Sequence, residues 1–249
     1  MTTGANTTRE LGVTAFLNHD SDEVREFVRS VLTPAELTSQ ERAVKLYYAV
    51  RDRVRYEVYG ADLSRDGLRA SHVVRAGTGM CIHKSVLYAA ALRAVGIPTR
   101  LVLTDVRNHL ASDRLKTLLG GDVFHYHCLT SVHLAGKWVK ATPTFNKTLC
   151  RLYGITPLEF DGIVDSVHHP FDLNGRQHME FLRNHGEFDD LPYDLIINGL
   201  RGAHPQLFTE TNRFVAGSLT GDARPARLRG SAPQQSPSAD NSPSGESHA

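Results

Sequence analysis

Cysteine is scarce in this chain, and so are tryptophan and methionine: the 249 residues hold three Cys, one Trp and three Met. Three cysteines are too few for a disulfide framework, and an odd number fits a reducing compartment. No apolar run is long enough to span a bilayer. The N-terminus, Met1-Thr2-Thr3-Gly4-Ala5-Asn6, lacks the basic-then-apolar order of a signal peptide, so the expected location is cytoplasmic. Charge of one sign is also missing. With 28 Lys and Arg against 27 Asp and Glu, the net charge is +1, which predicts neither nucleic-acid nor membrane-surface partners. Nothing in the sequence bears on oligomeric state.

What is present is a 41% hydrophobic chain, enough for one sizeable core. Residues 1–10 read as a flexible N-terminus. Leu11–Leu17 reads as a short extended piece. Asp20-Ser21-Asp22-Glu23 opens a helix with an acidic first turn, and a second helix runs from about Ser39 to Arg55 on an apolar stripe of Ala43, Leu46, Tyr47, Val50 and Val54. A short helix near His72 lies in a loop-rich stretch. Arg100–Thr104 and Val123–Leu134 read as strands, with Ala135-Gly136 turning the second into Lys137–Thr142. The polar excursion 106–122 is either a substrate rim or an idle loop. Helical patches are expected near Gln177–Arg183 and Asp194–Leu200, within a C-terminal extension that starts at about 146. From 222 to 249 the Ser/Pro/Gln-rich composition reads as a disordered tail.

The stretch that carries chemistry is Gly77-Thr78-Gly79-Met80-Cys81-Ile82-His83-Lys84-Ser85. Small residues run into a cysteine, and an almost wholly apolar helix follows, stopped by Gly96-Ile97-Pro98. A thiol at a helix N-terminus feels unpaired N–H groups and the positive end of the dipole, both of which favour a thiolate. Glycine before it lets a substrate backbone come close. Gly79 and Met80 are therefore candidate substrate contacts.

A second stretch, Phe124-His125-Tyr126-His127-Cys128, places two histidines two residues apart on a strand, hence on one face. His127 is the candidate base and His125 a candidate substrate contact. Thr142, on the partner strand and diagonal to His127, is the candidate to orient the imidazole, with Asn146 or Asp122 as substitutes. A histidine near Cys81 would drive the thiol toward thiolate and imidazolium. His125, His127 and Cys81 could instead bind zinc, but no Cys-x-x-Cys or His-Glu-x-x-His is present, so no metal and no cofactor is expected.

In order along the chain stand the helix-borne Cys81, Gly96-Ile97-Pro98-Thr99-Arg100, and the His127 strand with Gly136-Lys137-Trp138-Val139 and Thr142-Pro143-Thr144. This order resembles the bacterial transglutaminase-like superfamily, relatives of papain-type cysteine proteases, over about residues 40–145. The resemblance implies an α+β fold with N-terminal helices packed on an antiparallel β-sheet. It implies Cys81 as nucleophile and His127 as base, acting on amide bonds of a peptide or protein through a thioester; hydrolysis is slightly favoured over transfer, since nothing in the sequence excludes water. The family's aspartate falls on Thr142, and Leu129 stands where the family has Trp. These two departures motivate the alternative of a weakened or inactive binding module that keeps the fold. Calcium is not implied, since no Asp/Glu-rich loop is visible.

Overall fold

The long buried helix announced by the cysteine stretch is the centre of the molecule. A computed structural model describes residues 7–32, 36–109, 111–168, 175, 178–209 and 218–222; the expected tail beyond 222 lies outside them. Four helices precede the centre: α1 (Thr7–Leu11), α2 (Asp22–Val31), α3 (Ser39–Arg53) and α4 (Ala70–Ala76). Then come α5 (Cys81–Arg93), α6 (Asp113–Leu119), α7 (Lys147–Tyr153), α8 (Tyr193–Ala203) and the short α9 (Leu219–Asp222). The strands are β1 (Arg55–Tyr56), β2 (Thr78–Gly79), β3 (Thr99–Asn108), β4 (Val123–Leu134), β5 (Lys137–Ala141) and β6 (Met179–Phe188).

The fold is α+β, as the sequence implies. The sheet is antiparallel in the order β5-β4-β3-β6, with α5 laid across one face. Every residue of α5 is buried, including His83, Lys84 and Arg93. Lys84 Nζ donates to the carbonyls of Arg51 (2.8 Å) and Val54 (2.6 Å), and burial pushes its pKa down to about 7. Arg93 donates to the carbonyls of Gly12, Thr99 and Asp189, tying the end of α5 to three segments.

Local chemistry accounts for several element ends. Thr38 and Glu41 close a capping box on α3, and Ser21 caps α2 by accepting from the Val24 N–H. The β4–β5 hairpin pairs Leu134 with Lys137, and Ala135 and Gly136 both have positive φ, the two-residue turn that matches strand twist.

Three expectations need correction. The stretch Leu11–Leu17 is not extended; α1 ends at Leu11 and an irregular turn follows. Residues 106–122 are not a loop throughout, since β3 runs on to Asn108 and α6 follows. The patch expected to be helical near Gln177–Arg183 is not so in its described part, because Met179–Phe188 pairs along β3 as the edge strand β6, and Gln177 lies outside the described residues. Hydrogen bonds to β3 decide that last segment, and no local pattern announces them.

Candidate active site

Cys81 is the first residue of α5, and the backbone just before it is held in a small parallel ladder, Tyr56 opposite Gly79. Gly79 has no room for a Cβ: one built there would stand 2.5 Å from His83 Cβ. The close approach expected of a substrate at Gly79 is thus made by His83, one turn into the helix. Met80 is buried beside it. Cys81 is 1% exposed, and burial pushes its thiol up to about 11, against the pull of the backbone N–H groups of Cys128, Ile82 and Cys81 itself. The helix N-terminus does favour the thiolate, as the sequence suggests, but desolvation outweighs it.

The Cys128 N–H belongs to the peptide that joins His127 to Cys128, so the sulfur lies against the backbone of the histidine strand. The β4–β5 ladder ends at Thr130 paired with Ala141. From Val123 to Leu129, that edge of β4 is therefore not covered by β5. Cys128 turns its side chain to the α5 face, among the core residues and near Ser85. His127 alternates to the other face. His127 is 3% exposed, and burial pushes its pKa down to about 4. Among the described residues no hydrogen bond joins Cys81 Sγ to the imidazole, and the pair stands as a thiol and a neutral ring rather than as thiolate and imidazolium.

His127 Nε2 lies 3.1 Å from His168 Nε2. The hydrogen bond expected from Thr142 is thus made by His168. Thr142 Oγ1 is buried without a hydrogen-bond partner among the described residues, because the chain leaves the ladder after Ala141; its carbonyl accepts from Tyr47 Oη at 3.1 Å. Ser166 bridges to Ala141 in parallel, which carries the following residues of that segment past the end of β5. The rings of Phe145 and Phe181 pack around His168. Asn146 and Asp122 are engaged elsewhere: Asn146 Oδ1 accepts from the Tyr56 N–H, and Asp122 pairs with Arg107. His168 lies 41 residues from His127, and in the sequence only a weak His-His-Pro signal marks it.

His125 does not share a face with His127. Thr104 pairs with His127 and Val106 with Phe124, so one extra residue sits in β4 and the alternation inverts there. Tyr126, with φ 56°, absorbs the bulge, and its ring fills the space where Gly199 of α8 would carry a Cβ. His125 Nδ1 pairs with Asp105 Oδ2 at 3.2 Å. His185 Nε2 lies 2.7 Å from the other carboxylate oxygen, which also accepts the Tyr126 N–H. Burial raises the Asp105 pKa, but the His185 bond, the Tyr126 N–H and the two imidazoles outweigh it and hold the carboxyl below its usual range. Among the described residues no three His, Cys, Asp or Glu side chains are arranged to hold a metal ion.

No curated protein matches the chain. Among solved structures, similarity is found to a candidate cysteine protease from Cytophaga hutchinsonii, with TM-score 0.44 and 16% identity over 57% of this chain and 43% of that one. A candidate protease from Parabacteroides distasonis gives TM-score 0.35 and 16% identity over 57% and 27%. Arylamine N-acetyltransferase from Salmonella typhimurium gives TM-score 0.40 and 16% identity over 78% and 73%. The chain thus spans less than half the length of the first two. Residues 25–143 match the core of the transglutaminase-like superfamily. That segment runs from α2 through β5 and contains both Cys81 and His127.

Proposed function

We propose that the protein is a thiol enzyme that acts on an amide bond of a peptide or protein. Cys81 Sγ attacks the carbonyl carbon and His127 takes the thiol proton. The same proton passes to the amine as the C–N bond breaks, leaving a thioester on Cys81. Water then releases the acid, or a second amine takes the acyl group; hydrolysis is the simpler course, since nothing in the sequence excludes water. The backbone N–H of Cys81 is one donor to the developing oxyanion.

The observation that carries this reading is the position of the sulfur. It stands at the N-terminus of a buried helix, against the peptide that bears His127, on a strand edge that β5 leaves uncovered. The hydrogen bond to His168 supports the tautomer the reaction needs. A base that receives the thiol proton on Nδ1 carries its own proton on Nε2 and donates it to His168 Nε2. His168 then holds its proton on Nδ1. In this role His168 orients the base where the family pattern has an acid.

A second reading, a binding module that keeps the fold without turnover, draws on the raised thiol, the neutral imidazole and the unpartnered Thr142 hydroxyl. Iodoacetamide labelling near pH 6 separates the two. The enzyme alkylates Cys81 much faster than Cys128 or Cys150, and His127→Ala removes the difference. Slow, equal labelling of all three thiols would show the binding module instead. His168→Ala is expected to slow Cys81 labelling less than His127→Ala does, and nitrogen NMR of the His127 ring should then show mixed tautomers where the parent shows one.

A further inference from the structure

An aromatic cavity adjoins the site and holds a residue of the chain's own C-terminal segment. Its walls include Tyr56, Phe124, Phe145, Leu149 and Tyr153, and Leu219 closes it from one side. Two of these residues tie the cavity to the proposed chemistry. Tyr56 lies close enough to Cys81 for their negative forms to repel, and it pairs with Gly79 two residues before the thiol. Phe145 meets Tyr56 edge to face at 4.9 Å, and it also packs on His168 with ring centroids 5.4 Å apart. One cavity therefore touches both the thiol side and the imidazole side.

Leu219 is held as a ligand residue would be. Its backbone N–H donates to Glu57 Oε2 at 3.1 Å, and its carbonyl accepts from Tyr153 Oη at 3.1 Å. Glu57 is itself held in place. Its other oxygen accepts the N–H groups of Val58 and Tyr59, and its own N–H donates to the Gly79 carbonyl. The segment is tied further by Asp222, which accepts from Tyr59 Oη and Ser112 Oγ and pairs with Arg114 at 3.5 Å. Both backbone groups of one residue are matched by side chains of the body, and its buried apolar side chain lines the aromatic cavity. These are the three kinds of contact that a subsite for one residue of a peptide makes.

We propose that this cavity is the subsite for an apolar residue of the peptide substrate, and that Leu219 occupies it in the resting protein as an internal stand-in. The proposal rests on the peptide-directed reading above. A tethered occupant competes at high effective concentration, so an external residue binds only when the segment lifts away.

The test uses the full chain, with Leu219→Ala to empty the cavity and Tyr59→Phe to loosen the segment while leaving the cavity walls intact. N-Acetyl-leucinamide is titrated by calorimetry, with N-acetyl-aspartamide as the polar control. Both variants should bind the leucine probe about tenfold more tightly than the parent, with the polar control unchanged, and Tyr153→Phe placed on Leu219→Ala should weaken that gain. Unchanged affinity in both variants overturns the subsite, whatever the reactivity of Cys81. N-Acetyl-leucine chloromethyl ketone then tests the chemistry separately. Faster labelling of Cys81 in Leu219→Ala joins subsite to nucleophile. Tighter leucine binding without any labelling keeps the subsite and sinks the acyl-enzyme reading.

Discussion

His125 and His127 differ by two positions in the chain and live in opposite surroundings. His127 is buried, uncharged, and bonded to another imidazole. His125 is 38% exposed in its side chain and paired with a carboxylate that also reaches His185. One extra residue in β4 creates the difference by sending the two rings to opposite faces of the sheet. The same residue type is thereby given either a buried site, where desolvation favours the neutral base, or a half-exposed one beside a carboxylate. A site's chemistry can be decided by the phase of a strand rather than by its composition.

Changes on either side should break this contrast in different ways. The largest effect is expected at Asp105. Asp105→Ala removes the acceptor for the Tyr126 N–H and strands two imidazoles, and should cost about 3 kcal/mol in urea unfolding. An unchanged midpoint would mean that the cluster contributes nothing to the bulge.

Next comes His127. Its folded pKa, about 4, lies below the unfolded value of 6.5. A group depressed in this way contributes stability that is present above 6.5 and is lost as the pH falls toward 4. His127→Phe lacks that slope. At pH 5 it should be relieved of about 2 kcal/mol of the acid destabilisation that the parent shows relative to pH 7. His83, also pushed down to about 4 by burial, keeps its own slope in both proteins. Parallel stability-against-pH curves for parent and variant would contradict the assignment.

The smallest effect belongs to Thr142. Its hydroxyl is buried without a partner among the described residues, so Thr142→Val removes a desolvated polar group at nearly constant shape. A gain of about 1 kcal/mol is expected, with the Cys81 alkylation rate unchanged. A slower rate would return Thr142 to the role the family pattern suggests.

Legibility in the sequence follows how local each cause is. The Cys81 helix, its Gly-Ile-Pro stop and the Ala135-Gly136 turn are written in adjacent residues and can be read there. The α+β class can be read from their order. The bulge at Tyr126 cannot, because a period of two carries no mark of an inserted residue when both neighbours are histidine. The strand Met179–Phe188 exists through its partner β3, and His168 reaches His127 across 41 positions. Thr142 follows from the alignment of a motif, and the structure turns the chain away from the imidazole just there. The state of the thiol is hidden because a sequence shows the helix end but not the depth of its burial.

The position of β6 has one more consequence. It lies outside the 25–143 core yet covers the edge of β3, while Gly199 of α8 makes room for the Tyr126 ring. A fragment cut at the family boundary would bare a ten-residue strand edge and leave an aromatic ring without its seat. Such a piece should self-associate rather than fold alone, so the autonomous folding unit of this protein extends beyond residues 25–143.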